Sequence, residues 1–235
     1  MIWLKELTGF GNLAVLMPLA TVMLLWLLLA HSHRVALWWA FAVVFCAGLT
    51  AVLKVFFYGC PPAPDLHSPS GHTSFSTLVY GAVTLATASQ SRGVPRLIAI
   101  GVGAGFILAI AASRLLLHAH SAPEVVLGLA VGIVALALFA QPYRRCYKPT
   151  IWLSPLFVAC GGLLLAFHGR ELDTERLFQE IAVYYEIRCG SEHVAFLPEY
   201  GRFTSLPILG QLDAPKKPLA FGGGSRPRSS FGTGG

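Results

Sequence analysis

Charge is what this chain has least of: Asp, Glu, Lys and Arg make up 12% of its 235 residues, against 55% that are hydrophobic, and mean hydropathy is +0.65. A soluble globular domain carries about 25% charged residues, so the composition excludes an ordinary water-soluble fold. The net charge of +6 comes from Lys and Arg dispersed between apolar runs. They neither cluster on one face nor interleave with stacking aromatics, so no nucleic-acid partner is expected. The five cysteines, at 46, 60, 146, 160 and 189, form no CxxC pair and stand at no Cys/His metal spacing. A zinc site is therefore not expected. Cys46 and Cys160 fall inside apolar runs, where a free cysteine acts as a small hydrophobe. Cys60 and Cys189 fall in polar segments expected on one membrane side, and two free thiols are expected there in preference to a disulfide. No internal repeat is evident, and no small-x-small cleavage site follows the first apolar run, so that run reads as a retained helix.

What the chain does have is six apolar runs, at about residues 11–30, 36–57, 73–89, 97–117, 124–140 and 151–167. Each is near the roughly 20 residues a helix needs to cross about 30 Å of hydrocarbon. The expected fold is all-α, a six-helix transmembrane bundle over residues 1–168. Breakers occupy the connectors: Pro61, Pro62, Pro64 and Pro69, then Gly93 and Pro95, then Pro142 and Pro149. Connectors after the first, third and fifth runs contain Arg34, Arg92, Arg96, Arg144, Arg145 and Lys148, which assigns that side to the cytoplasm. Both termini and the opposite connectors are then extracytoplasmic, in a multi-pass protein of the plasma or inner membrane. Residues 169–212 form an extracytoplasmic or interfacial segment, in which Leu172, Leu177, Phe178, Ile181 and Tyr185 recur at the spacing of an amphipathic helix. Residues 213–235 are rich in Gly, Pro and Ser and read as a disordered tail.

The polar residues that a membrane reading finds expensive fall into three segments. They are Lys54 at the end of the second run, Ser68 to Ser76 at the start of the third, and residues 113–124 between the fourth and fifth. If every run spans, parity alone puts all three on one membrane face. An ionisable group near a membrane helix is a functional candidate, since it costs about 2.5–3.5 kcal/mol at a helix centre. The competing reading for a single Lys or Arg is snorkelling to the interface, and for either cation alone that reading is preferred. For Lys54 and Arg114 together with His72, His118 and His120 it is not. His31 and His33, on the other face, read as interfacial. With Glu124 the single acidic residue in its segment and no cysteine beside the histidines, neither a metal nor a cofactor is expected.

Phosphoryl transfer explains these residue types. It needs positive charge around the non-bridging oxygens, an in-line nucleophile and an acid for the departing oxygen. Lys54 and Arg114 supply charge, the latter as a bidentate fork. The Pro69-Ser70-Gly71 turn opens a helix whose free amides favour an anion, Gly71 allows close approach, and Ser70 adds a hydroxyl. Thr73, Ser74 and Ser76 read as small hydroxyls suited to close helix packing.

Pro69-Ser70-Gly71-His72, followed by Ser113-Arg114, five residues, His120, three residues and Glu124, resembles the signature of the type 2 phosphatidic acid phosphatase superfamily. That superfamily also contains the vanadium haloperoxidases, which are typically soluble. The stretch from Glu124 to Gly128 is similar to the family's continuation into its fifth helix, and the resemblance covers about residues 50–140. It implies that His120 is the nucleophile forming a phosphohistidine, that Glu124 orients and polarises it, and that His72 is the general acid. It further implies that Lys54, Ser70, Gly71 and Arg114 hold the phosphate, with a hydrogen bond from Ser113, while His118 lies outside the motif. Two positions differ. Pro61-Pro62 stands where the family has Arg-Pro, which removes one cation, and Glu124 stands where it has Asp, which adds a methylene that the backbone must accommodate. The expected activity is hydrolysis of a phospholipid or prenyl lipid phosphate or diphosphate. A lipid phosphotransferase and a lipid-binding member with weakened turnover are the alternatives.

Overall fold

The computed structural model describes residues 2–60, 62–63, 66–146 and 154–167, together with Phe178 and Ile181, all within one unit, Met1–Ser191. These residues form seven α-helices: α1 Ile2–Gly9, α2 Leu13–Ala30, α3 His33–Gly59, α4 Gly71–Gln90, α5 Val94–Leu116, α6 Ala122–Arg145 and α7 Ser154–Phe167. Among the described residues there is no strand, only an isolated bridge between Ala63 and Leu66. The architecture is the expected helical bundle, with α2 to α7 at the six apolar runs and α1 added before them. Phe178 and Ile181 are helical and half-buried. The rest of the expected interfacial segment, the whole tail, Cys189 and Lys148 lie outside the described residues.

Among the described residues, four stretches can cross a membrane by length and apolarity: Trp3–Ala30, His33–Gly59, Val94–Leu116 and Ala122–Arg145. This is a membrane protein. At 1.5 Å per residue, the 27 residues of α3 and the 24 of α6 run about 40 and 36 Å, enough to cross with some tilt. The remaining long helix, α4, owes its lower hydropathy to its position. It packs against α2, α3, α5 and α6, and its buried face is built from Thr73, Ser74, Ser76, Thr77, Gly81, Ala82 and Ala86 as well as Phe75, Leu78 and Val79. A helix surrounded by protein needs small residues for close approach more than it needs bulk facing lipid. Several of its hydroxyls bond within the helix, Thr77 donating to the Thr73 carbonyl at 2.7 Å and Thr84 to that of Tyr80 at 2.7 Å.

The close approach of α6 to α4 is made by two glycines one turn apart. A Cβ at Gly128 would stand 2.6 Å from the Ser70 carbonyl oxygen, and one at Gly132 would stand 2.5 Å from that of Ser74. The other end of the bundle is aromatic. Trp39 on α3 donates its Nε1–H to the Ala20 carbonyl at 2.9 Å and packs edge-on against Phe139. Between Trp26 and Tyr143 lies the ring of His31.

Local signals account for most helix ends. Asn12 caps α2 by accepting from Ala14 N–H at 2.9 Å, and Ser32 caps α3 by accepting from Val35 N–H. Pro142, expected as a breaker, lies inside α6, which continues to Arg145 and closes with Cys146 N–H on the Pro142 carbonyl. A proline so near the C-terminus removes one amide bond but leaves the last turn to close behind it. One expectation is corrected: Cys60, at the C-cap of α3, is disulfide-bonded rather than a free thiol, whereas Cys46, Cys146 and Cys160 are free.

Candidate active site

Between residues 7 and 170 only Asp65 and Glu124 are acidic, and Glu124 organises the site. Ser121 is the N-cap of α6 and Glu124 its third residue, so the two form a reciprocal capping box: Glu124 N–H donates to Ser121 Oγ, and Ser121 N–H donates to Glu124 Oε2 at 3.1 Å. The same Oε2 accepts from His120 Nδ1 at 2.8 Å. Oε1 accepts the backbone N–H groups of His67 and Ser68, each at 2.9 Å. Four donors fill the four acceptor positions of one carboxylate. The Glu124 carbonyl also receives Ser70 N–H at 3.1 Å. One residue therefore joins the α3–α4 connector, the N-terminus of α4 and the α5–α6 turn.

This geometry explains the glutamate. The box that starts α6 requires a side chain reaching back from the third helical position, and that same reach carries Oε1 across to the connector. Because a carboxylate only accepts, His120 Nδ1 must carry the hydrogen, which leaves the lone pair on Nε2. The His120 side chain is 7% exposed, so the nitrogen that keeps its lone pair is held in a sheltered position.

The Arg114-to-His120 spacing is set by the end of α5. Ala119 N–H donates to the Arg114 carbonyl and His118 N–H to that of Leu115, each at 3.0 Å, and His118 takes φ +52°. This is a left-handed C-terminal cap with histidine where glycine is usual, and it turns the chain so that His120 N–H also meets the Arg114 carbonyl at 3.4 Å. His118 itself is exposed, so its part is in the turn.

Lys54 is buried at 2% exposure, and its Nζ donates to Ser68 Oγ at 3.2 Å and lies 5.8 Å from the centre of the Phe178 ring. A Cβ added at Gly71 would meet only Lys54 Cε, at 3.7 Å, so no packing among the described residues forbids a side chain there. Ser70 caps α4 without bonding its amides, and its Oγ accepts from Thr73 Oγ1 at 3.0 Å. Thr73 thus supports a site hydroxyl, a part that its reading as mere packing missed. Ser74 bonds the Gly71 carbonyl and Thr50. His72 lies within electrostatic range of Arg114, His120 and Lys54. Arg114 directs Nη1 to Thr8 Oγ1 at 3.2 Å. Ser113 is fully buried, and its hydroxyl donates to the Ile110 carbonyl at 2.6 Å, which commits its hydrogen to α5.

Lys54, Ser70, Gly71, His72, Arg114, His120 and Glu124 thus meet at the ends of α3 and α5 and the starts of α4 and α6. Among the described residues no group of three or more His, Cys, Asp or Glu could hold a metal ion. Cations, the α4 amides that the Ser70 side chain leaves unbonded and a carboxylate-held imidazole can bind a tetrahedral anion and attack it.

A family model described as the PAP2 superfamily matches residues 54–148. A protein of Klebsiella pneumoniae described as an uncharacterized 22.5 kDa protein in the cps region is 30% identical over 184 residues, covering 74% of this chain and 87% of that protein. No solved structure gives a significant match.

Proposed function

Since the chain belongs to the PAP2 superfamily, whose members are in general phosphatases, we propose that it hydrolyses the phosphomonoester or diphosphate of a phospholipid or prenyl lipid through a phosphohistidine. The observation that carries this reading is the 2.8 Å bond from His120 Nδ1 to Glu124. It leaves Nε2 as the nitrogen that attacks phosphorus. As the N–P bond forms, the P–O bond to the lipid breaks, and His72 gives its proton to the departing oxygen. In the second half, water attacks phosphorus, His72 takes a proton from it, and the N–P bond breaks to return His120. Lys54, Arg114 and the N-terminus of α4 hold the non-bridging oxygens, where charge is greatest in the transition state.

The substrate class follows from position. A site at helix ends, level with the headgroups, can accept a lipid phosphate without withdrawing its chains from the bilayer. We place it on the extracytoplasmic face on two grounds. Arg34, Arg92, Arg96, Arg144 and Arg145 all stand at the opposite helix ends. Cys60, six residues beyond Lys54, is disulfide-bonded, a state that persists in oxidising compartments.

The test is phosphate release from a panel of lipid phosphates and diphosphates by the wild type, His120→Ala and His72→Ala. His120→Ala should fall to background, and His72→Ala should lose about 10²–10⁴-fold, the usual contribution of a positioned acid. Equal release by all three would end the catalytic assignment. Binding without release would leave a lipid-binding protein, and transfer of labelled phosphate to a second lipid with none set free would make it a phosphotransferase.

A further inference from the structure

We infer that the N-terminal segment from Thr8 to Gly11 is a working part of the phosphate site, with Thr8 a positioning residue for Arg114. The inference rests on the reading of Arg114 as a phosphate ligand, and it concerns residues outside the 54–148 match. Thr8 is buried near the end of α1, and its carbonyl accepts Gly11 N–H at 2.9 Å to form a turn. A guanidinium only donates, so in the 3.2 Å contact the Thr8 hydroxyl accepts from Nη1. That contact bridges 106 positions of sequence.

The turn is fastened beside the site from two sides. The Phe10 carbonyl accepts from Tyr80 Oη on α4 at 2.8 Å, and the Phe10 ring packs edge-on against Phe106 on α5, which also meets Tyr80. Gly11 follows directly against the proposed acid. A Cβ there would stand 3.3 Å from His72 Cβ and 2.8 Å from Ile110 Cγ2. One short segment therefore touches both the guanidinium and the histidine that the chemistry needs.

The departure at Pro61 gives this contact its importance. With the signature arginine absent there, Arg114 is the one guanidinium at a matching motif position. Bidentate recognition depends on the plane of that fork, and a hydroxyl holding Nη1 fixes the plane before the phosphate arrives.

The test uses the full-length protein purified in detergent, with inorganic phosphate alone as the probe for calorimetric binding and lipid phosphate for turnover. Thr8→Val removes the hydroxyl at constant shape, Thr8→Ser keeps it, and Thr21→Val removes an exposed hydroxyl that only bonds its own helix at Met17. Thr8→Val should weaken phosphate binding and lower kcat/KM by about tenfold, as expected for losing a hydrogen bond to a charged group. Thr8→Ser should stay within about twofold of wild type, and Thr21→Val should bind as wild type does. If Thr8→Val does not fold, Thr8→Ala carries the same expectation. Wild-type binding by Thr8→Val, equal losses in the Ser and Val variants, or a wild type that binds no phosphate would each overturn the inference. The two readings fail separately. Tenfold weaker phosphate binding in a protein that hydrolyses no lipid phosphate sinks the phosphatase and keeps the positioning role. His120-dependent hydrolysis indifferent to Thr8→Val does the reverse.

Discussion

Glu124 shows how one side chain can set both a helix start and a reactive tautomer. Its four bonded donors are the N–H groups of His67, Ser68 and Ser121 and the Nδ1–H of His120. Glu124→Gln must aim an amide NH₂ at one of these pairs. If it faces His67 and Ser68, two amides in the connector lose their acceptor, at about 1–3 kcal/mol for each group left buried and unsatisfied. If it faces His120, the imidazole moves its hydrogen to Nε2 and the nucleophilic lone pair is gone. Lipid-phosphate turnover should fall by about 10³–10⁴-fold in the second case, comparable to the loss when a triad aspartate is amidated, whereas the first case should show mainly as a lower unfolding temperature. Glu124→Asp is the more revealing variant, because it restores the residue usual in the family signature. With the Glu124 carbonyl held by Ser70 N–H at 3.1 Å, a shorter side chain cannot serve both the capping box and the connector. We expect lower turnover and a lower unfolding temperature than wild type, measured on the same detergent-purified samples. Equal or higher values would mean that the backbone relaxes around aspartate.

At the scale of elements, the site depends on how closely α6 lies along α4. Gly128 and Gly132 face the Ser70 and Ser74 carbonyls at distances that leave no room for a methyl group. Gly132→Ala should destabilise the bundle by about 1–3 kcal/mol, the usual cost of overpacking, with modest effect on the catalytic parameters. Gly128→Ala should do the same and also lower kcat/KM, because its clash falls on Ser70, the N-cap of α4 in the turn proposed to hold phosphate. Gly105→Ala, with nothing within 4 Å of the new methyl, should be neutral or stabilising by about 0.5–1 kcal/mol. Thermal unfolding beside a phosphate-release assay separates the three. The same scale marks where sequence reading succeeded and stopped. Long apolar runs announce α2, α3, α5 and α6, because a helix facing lipid must be apolar along its whole length. Parity then brings Lys54, His72, Arg114 and His120 to one end before any contact is known. Helix α1, eight residues of mixed character, has too short a period to register, although Gly9, Gly11 and the Asn12 cap mark the break that follows it. Thr8 was illegible for a different reason: nothing near it in sequence distinguishes it, and its partner is 106 residues away. The Cys60 disulfide is likewise a property of the fold, since spacing alone does not tell a pairing from two thiols.

For the whole molecule the decisive quantity is orientation, and the chain carries its own reporter. Helix α6 begins at the site with Glu124 and ends at Cys146, a free and exposed cysteine. Its 24 residues extend about 36 Å, more than the hydrocarbon thickness of about 30 Å, so a membrane-crossing α6 puts Cys146 and His120 on opposite faces. Cys46 and Cys160 are free but buried. A membrane-impermeant maleimide applied to intact cells should therefore label the wild type no more than Cys146→Ser, and after permeabilisation the wild type should gain a label that the variant lacks. That result puts Arg144 and Arg145 inside, as the charge asymmetry requires, and opens the phosphate site to the extracytoplasmic leaflet. Labelling of Cys146 in intact cells would reverse the orientation. The site would then face the cytoplasm, the arginines would stand on the wrong side for the positive-inside rule, and the Cys60 disulfide would sit in a reducing compartment. Because one measurement decides all three together, orientation is the property on which the extracytoplasmic lipid-phosphatase reading is most directly exposed to refutation.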